Sequence, residues 1–148
     1  MTEKMIKENN TTDLFAAFDE VISLVRSAWA IALKDAGFVL TPLDTKILSI
    51  LKAQPGIILH DLVTSMSKDK AQITRKIKDL EEKSFITRQK TANDQRSYQL
   101  FLTPQGKQAQ AKTQLIKSKV YRQIFARLNT QEQADIVRLL NKCIEENR

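Results

Sequence analysis

One short stretch of the chain concentrates side chains that can donate hydrogen bonds to an anion or to a base edge. It carries amine, guanidinium, amide and hydroxyl groups: Lys70, Gln72, Thr74, Arg75, Lys76 and Lys78. In protein–DNA complexes, Arg and Lys pair with guanine and phosphate, Gln pairs with adenine, and Thr contacts either. These residues are therefore candidate nucleic-acid contacts, and the alternative is a solvated basic face of no specific use.

The distribution of charge favours nucleic-acid binding. The chain has 24 Lys and Arg residues against 17 Asp and Glu residues, which gives a net charge of +7. Most of the excess lies in the second half, because residues 68–96 carry nine basic and five acidic residues and residues 97–127 carry six basic and none acidic. A concentrated positive surface is expected to meet a polyanion, and nucleic acid is the leading candidate.

The composition argues against an enzyme. With one histidine (His60), one cysteine (Cys143) and no Gly-rich phosphate loop, only carboxylate or lysine chemistry remains, and no suitable pair stands out. The same counts exclude an intrachain disulfide and a Cys-based zinc cluster, so we expect no cofactor and no metal. The longest apolar run, 28–33, is far shorter than the roughly 20 residues of a membrane span, and the polar start has no signal-peptide core. The expected location is the cytoplasm.

Apolar spacing predicts four helices in the first part of the chain. Residues 13–36 and 42–53 place apolar residues three and four apart, which is typical of amphipathic helices. A short helix over 59–66 lacks a Ser or Thr that would mark its start. A fourth helix over 70–83 follows Asp69, a good N-cap, and turns one apolar row towards the core. The candidate nucleic-acid contacts lie on the other face of this fourth helix.

After the fourth helix the apolar period becomes that of a strand. Residues 86–89 and 98–102 alternate in polarity and are separated by a polar turn, which predicts a β-hairpin with a charged tip. A helix over 104–128 follows, and the sequence Thr130–Gln133 predicts the capping box of a last helix. The expected fold is mainly α with a small β-hairpin wing.

Two short helices, a basic helix and a hairpin follow one another in the order of a winged helix-turn-helix. A helix with its side chains is about 10–12 Å across and fits the B-DNA major groove, which is about 12 Å wide. The hairpin tip then reaches an adjacent minor groove. On the hairpin strands, Arg88 and Lys90 are expected to contact phosphates or carboxylates. Winged helices are also reused, so a protein-interaction or non-specific nucleoid-binding module is the alternative function.

Several short motifs occur in an order and at spacings that resemble the MarR family of bacterial transcription regulators. They are Asp61-Leu62-Val63, Ile73-Thr74-Arg75, Leu80-Glu81-Glu82-Lys83, Phe85-Ile86-Thr87-Arg88, Asp94-Gln95-Arg96 and Leu102-Thr103-Pro104-Gln105-Gly106. The family consensus runs E-L-A, V-T-R, L-E-x-x-G-L-I-x-R, D-x-R and L-T-x-x-G. With the flanking helices, the resemblance covers nearly the whole chain. One departure is Ser84, which stands where the family usually has glycine.

The resemblance implies a single domain over 1–148. Its helices over 13–36 and 104–147 would hold a homodimer, and residues 42–103 would bind palindromic double-stranded DNA. It also implies a transcription regulator, usually a repressor. Many family members release DNA when a small aromatic or phenolic ligand binds or when a cysteine is oxidised.

A few residues carry less specific assignments. Arg96 resembles the family's wing-tip arginine, and Asp94 is a candidate to orient it through a salt bridge. Trp29 and His60 are candidate effector contacts, with core packing as the alternative for Trp29 and an ordinary helix-start position as the alternative for His60. Cys143 lies on the apolar stripe of the last helix, so we expect a packed thiol of low reactivity rather than a redox switch.

Overall fold

The computed structural model describes residues 3–91 and 97–147, and within them the side chains from residue 13 onward. Over these residues the chain forms α1 (Glu3–Asp35), α2 (Pro42–Ala53), β1 (Ile57–Ile58), α3 (Leu59–Met66), α4 (Lys70–Glu82), β2 (Ile86–Lys90), β3 (Tyr98–Leu102), α5 (Pro104–Ile124) and α6 (Thr130–Glu146). This mainly helical fold with a small sheet confirms the predicted fold class. None of the helices described has an apolar stretch long enough to cross a membrane.

The helices of the winged part begin where their capping residues predict. The Thr41 hydroxyl accepts the Asp44 N–H at 3.3 Å, and the Asp44 carboxylate accepts the Thr41 N–H at 2.8 Å, so that α2 starts with a complete capping box and Pro42 at its first position. The Asp69 carboxylate accepts the Gln72 N–H at 3.3 Å and starts α4. The short helix α3 begins without a side-chain cap, as its sequence indicated.

Three helix ends differ from the prediction. α1 already starts at Glu3, because its opening Glu, Lys and Met residues favour helix without adding to the apolar row. α5 ends at Ile124 rather than at 128. The N-cap of α6 is Asn129 and not Thr130: its side chain accepts the Glu132 N–H at 2.9 Å, and the Glu132 carboxylate accepts the Asn129 N–H at 2.8 Å. Asn is a better N-cap than Thr, so the predicted capping box is displaced by one residue.

The sheet has three antiparallel strands in the order β1-β3-β2. The predicted hairpin pairs β2 with β3, and Ile86 lies opposite Leu102 while Lys90 lies opposite Tyr98. The additional strand β1 pairs with the other edge of β3, where Ile57 lies opposite Leu100. Periodicity did not predict β1, because two residues are too few to define a period.

One of two compact units comprises residues 29–116 and contains the main apolar core. The fully buried side chains of this core come from α2, α3, α4 and the sheet: Ile47, Leu48, Leu51, Leu62, Ile73, Leu80, Ile86 and Leu100. On α4 the buried residues are Ile73, Ile77 and Leu80, which is the predicted row at i, i+4 and i+7. Burial of such a side chain contributes about 1.5–3 kcal/mol to folding. The row therefore determines which face of α4 is turned to solvent.

The other compact unit comprises residues 1–28 and 117–148. On its described helices many large apolar side chains are exposed in the single chain: Leu14, Phe15, Phe18, Val21, Ile22, Leu24, Ile136, Val137, Leu139, Leu140 and Ile144. Cys143 is exposed as well, so the expectation of a packed thiol is wrong for the single chain. Exposed apolar side chains on successive helical turns are typical of an interaction surface.

The start of α5 packs closely against the connection between α4 and β2. The Thr103 hydroxyl donates to the Ser84 carbonyl at 2.6 Å and accepts the Gly106 N–H at 2.9 Å. A Cβ on Gly106 would overlap the Phe85 carbonyl oxygen. This close approach explains why the sequence Leu-Thr-Pro-Gln-Gly ends in glycine.

The end of α4 is a Schellman motif with serine at the left-handed position. The Phe85 N–H donates to the Leu80 carbonyl at 2.9 Å and the Ser84 N–H donates to the Glu81 carbonyl at 2.9 Å, which are the two hydrogen bonds of that motif. Ser84 has φ 63°, a conformation in which any Cβ is strained. The departure from glycine therefore leaves the cap intact and adds strain.

We expect Ser84→Gly to raise the free energy of unfolding by about 0.5–1 kcal/mol. The change relieves the left-handed strain, and the larger entropy of glycine in the unfolded chain offsets part of the gain. Urea denaturation followed by circular dichroism measures the difference. Ser84→Ala is the matched control, since it keeps the Cβ and should bring no gain. A Ser84→Gly protein less stable than wild type would contradict this explanation.

Candidate nucleic-acid interface

The exposed face of α4 presents most of the predicted donors. Opposite the buried row, the exposed side chains are Lys70, Gln72, Thr74, Arg75 and Lys78. Two of them bond back to their own helix: the Thr74 hydroxyl donates to the Lys70 carbonyl at 2.8 Å, and Arg75 Nε donates to the Ala71 carbonyl at 3.4 Å. The Arg75 bond uses only Nε, so the paired Nη donors that suit a guanine edge stay available at the surface.

Lys76 is placed differently from the other five. It is half-buried, and its Nζ lies 3.2 Å from Asp44 Oδ1 in α2 and 3.4 Å from Oγ1 of Thr41, the N-cap of α2. Its residue type and position in the sequence fit a phosphate contact, which is the role predicted for it. The structure gives its ammonium group a carboxylate partner within the protein.

Arg88 on β2 is held by a carboxylate and an aromatic ring. Its Nε donates to Glu81 Oε2 at 2.8 Å, and its guanidinium lies 5.9 Å from the centre of the Tyr98 ring. Contact with a carboxylate is one of the two outcomes expected for this residue. Both partners were missed by sequence analysis, because Glu81 lies on another element and Tyr98 follows the hairpin turn.

The remaining wing residues are only partly described. Lys90 ends β2, is exposed and lies opposite Tyr98. Asp94 and Arg96 lie outside the described residues. Their roles at the wing tip stay predictions from the sequence.

A cavity of about 250 Å³ lies beside this donor face, within the unit of residues 29–116. It is lined by Ile58, Leu59, His60, Lys70, Thr74, Ile77, Arg88, Ser97, Tyr98 and Leu100. The buried Ile77 and Leu100 make its lining partly apolar, and Lys70 and Arg88 add positive charge. His60 lines the cavity as an exposed side chain, whereas Trp29 is buried in the same unit and is not among the lining residues. The effector roles predicted for these two residues stay predictions.

The part of the chain that the structure describes holds no group of three His, Cys, Asp or Glu side chains arranged to bind a metal ion. The surface at α4 instead presents hydrogen-bond donors and positively charged groups on side chains of different lengths. Such a surface binds anions and base edges by charge and directed hydrogen bonds.

Sequence comparisons match the region that the sequence predicts to bind DNA. Residues 40–98 match the model of the MarR family. A curated protein of Thauera aromatica, assigned to transcriptional regulation of the hcr operon, is 29% identical over 100 residues. That match covers 68% of this chain and spans 60% of the length of the relative.

Several solved structures have a fold similar to that of this chain. A mutant of E. coli MarR in complex with operator DNA has a TM-score of 0.79 at 22% identity, covering 91% of this chain and 96% of that chain. A MarR-like transcription regulator from Bacillus cereus has a TM-score of 0.80 at 16% identity, covering 94% and 99%. Bordetella bronchiseptica BpsR, whose DNA binding is regulated by 6-hydroxynicotinic acid, has a TM-score of 0.77 at 21% identity, covering 88% and 98%.

We expect Arg75→Ala and Lys78→Ala to weaken DNA binding in different ways. Arg75→Ala should cost about 1–3 kcal/mol per half-site and relax the preference at one base position, because it removes the donors that pair with a base edge. Lys78→Ala should weaken binding to all sequences alike and lower the slope of log K against log salt by about 0.9 for each phosphate that it leaves without a cation. Fluorescence anisotropy with several duplexes at several salt concentrations measures both effects.

The control for charge is Lys142→Ala, which removes one positive charge from an exposed position on α6. It should leave the selected sequence and the salt slope close to those of wild type. If Arg75→Ala changes neither the affinity nor the selected sequence, the assignment of Arg75 to a base edge is wrong.

Proposed function

We propose that the chain is a member of the MarR family, whose model its residues 40–98 match, and that it is a sequence-specific transcription regulator that binds double-stranded DNA. In this proposal α4 enters the major groove, and Gln72 and Arg75 contact base edges. Lys70, Thr74, Lys78 and the wing residues Arg88, Lys90 and Arg96 position the protein on the backbone and in the minor groove, and Asp94 orients Arg96. Operator DNA lies in the cytoplasm, which is the location that the proposal implies.

The main support is the two-sided character of α4. Ile73, Ile77 and Leu80 are at most 2% exposed, so α4 is firmly fixed on its inner face, while the exposed residues over its first nine positions are donors apart from Ala71. A helix that is rigidly held and presents Arg and Gln outward meets the requirement for direct recognition of bases. A module that binds nucleic acid only by charge needs no such combination.

The proposal includes a homodimer that acts as a repressor. Phe15 is 62% exposed and Leu139 is 51% exposed in the single chain, among many large apolar side chains of α1 and α6. A second copy of the chain is the occupant that the family resemblance implies for this surface, and burial of such side chains contributes about 25 cal/mol per Å². A dimer bound across a palindrome would cover promoter DNA and thereby repress transcription.

Selection from random duplex DNA, followed by footprinting of the selected sites, tests this proposal. We expect two-fold symmetric sites whose half-sites are roughly 10 base pairs apart or a multiple of that distance. Sedimentation at micromolar concentration should show a dimer. A folded monomer that binds the same sites with undiminished affinity would contradict the dimer, and equal affinity for all sequences would favour the non-specific nucleoid-binding alternative.

We also propose that a small aromatic acid acts as an effector in the cavity beside α4. BpsR, a structural neighbour, is regulated by 6-hydroxynicotinic acid, and the cavity of this chain combines apolar residues with the Tyr98 ring and the cations of Lys70 and Arg88. An anionic ring bound there would hold Lys70 and Thr74 away from DNA. The ligand would therefore release the operator by competition.

Benzoate should weaken operator binding by the wild-type protein more than acetate does at the same ionic strength. Tyr98→Ala should reduce the benzoate effect, measured relative to the variant's own DNA affinity without benzoate, because it removes the aromatic wall of the cavity. Fluorescence anisotropy with labelled operator measures these differences. Equal effects of benzoate and acetate on the wild type would contradict this effector site.

A further inference from the structure

A pair of opposite charges joins α4 to the start of α2. Asp44 is only 2% exposed, and its Oδ2 accepts the Thr41 N–H at 2.8 Å and the Thr41 hydroxyl at 2.9 Å. Its Oδ1 lies 3.2 Å from Nζ of Lys76, which reaches across from α4. The carboxylate of Asp44 therefore closes the capping box of α2 and holds α4 at the same time.

A second lysine, just beyond the end of α4, bonds to the segment that connects α1 with α2. Lys83, the residue after α4, donates from Nζ to the Val39 carbonyl at 3.4 Å. The segment from Val39 to Asp44 thus contacts α4 near its middle and just beyond its end. These two contacts add to the restraint that the buried apolar row places on rotation of α4 about its own axis.

Stability does not by itself account for a charged pair at this position. Taking charges out of water carries a large desolvation cost, and replacing a buried ion pair with apolar residues of similar size is often neutral or stabilising. Such pairs are retained in some proteins because they specify one arrangement. Here the pair lies one residue from Arg75, the proposed base contact, at a helix whose orientation decides where that guanidinium points.

We propose that Asp44 and Lys76 are a positioning pair that sets the rotation of α4, and thereby the direction of Arg75, for operator recognition. The proposal rests on the proposed function, in which α4 contacts the bases. Recognition groups have to be held within roughly 0.5 Å and 10–20° of their productive geometry. Asp44 would therefore contribute to DNA selectivity without touching DNA.

The competing role for Lys76 is a direct phosphate contact. Removing the negative charge of Asp44 distinguishes this role from the positioning role, because the two roles predict opposite effects on operator affinity. Asp44→Asn removes one negative charge and so makes the net charge of the protein more positive by one. Electrostatic attraction alone therefore predicts tighter binding to any DNA. The asparagine can still accept the Thr41 N–H and so keeps the α2 cap. If the pair positions α4, the same change weakens operator binding despite the more favourable charge.

The experiment compares Asp44→Asn, Lys76→Met, the double variant and the matched control Lys78→Met. Affinity is measured for the selected operator and for a random duplex at several salt concentrations, and urea denaturation is measured for each protein. We expect the ratio of operator to random affinity to fall roughly 3- to 30-fold in Asp44→Asn and in Lys76→Met. Lys78→Met should lower the salt slope, whereas Lys76→Met should leave it unchanged.

The double variant separates positioning from simple stabilisation. It has no uncompensated buried charge, so its stability should recover towards that of wild type while its selectivity stays low. Recovery of both stability and selectivity would overturn the positioning role, as would tighter operator binding by Asp44→Asn or a lowered salt slope in Lys76→Met. A wild-type protein with no sequence preference would overturn the proposed function together with this inference, whereas a selective wild type with unaffected variants would overturn the inference alone.

Discussion

Burial of one apolar row on α4 is the constraint on which the rest of the arrangement depends. Ile73, Ile77 and Leu80 pack into the core of the unit formed by residues 29–116, and a helix cannot turn these three side chains inward without turning its Arg, Gln and Lys residues outward. The Asp69 cap fixes the start of the helix, and the Schellman motif at Ser84 fixes its end. The donor face thus follows from packing, before any contact with DNA is considered.

Local patterns predicted the elements of the winged part well, and tertiary contacts account for what they missed. The bounds of α2 and α3 and the pairing of β2 with β3 follow from caps, proline and periodicity within a few residues. The two-residue strand β1 forms only because β3 offers it an edge. Lys76 shows the limit most clearly, since nothing near it in sequence indicates that Asp44, on another helix, lies within reach of its ammonium group.

The terminal helices α1 and α6 show that periodicity cannot identify what covers an apolar face. The sequence located the apolar faces of α1 and α6. Periodicity does not indicate, however, whether such a face is buried by its own chain or by another molecule. In the single chain Phe15, Leu139 and Cys143 are exposed, so the burial expected for Cys143 requires a partner. On the proposed function, the stability of the unit formed by residues 1–28 and 117–148 is inseparable from dimer formation, and it therefore depends on protein concentration.

The cavity beside α4 shares side chains with the donor face. A ligand in the cavity would therefore act on the same side chains that are proposed to contact DNA. Lys70, Thr74 and Arg88 line the cavity and also belong to the proposed DNA contacts. Ligand and operator would then compete for the same groups, so release needs no conformational change that travels across the molecule. Linkage requires the effect to be reciprocal, and bound operator must weaken ligand binding by the same factor. In this proposal the coupling resides in the shared donors, so a change that removes one of them would weaken both DNA binding and the response to the ligand.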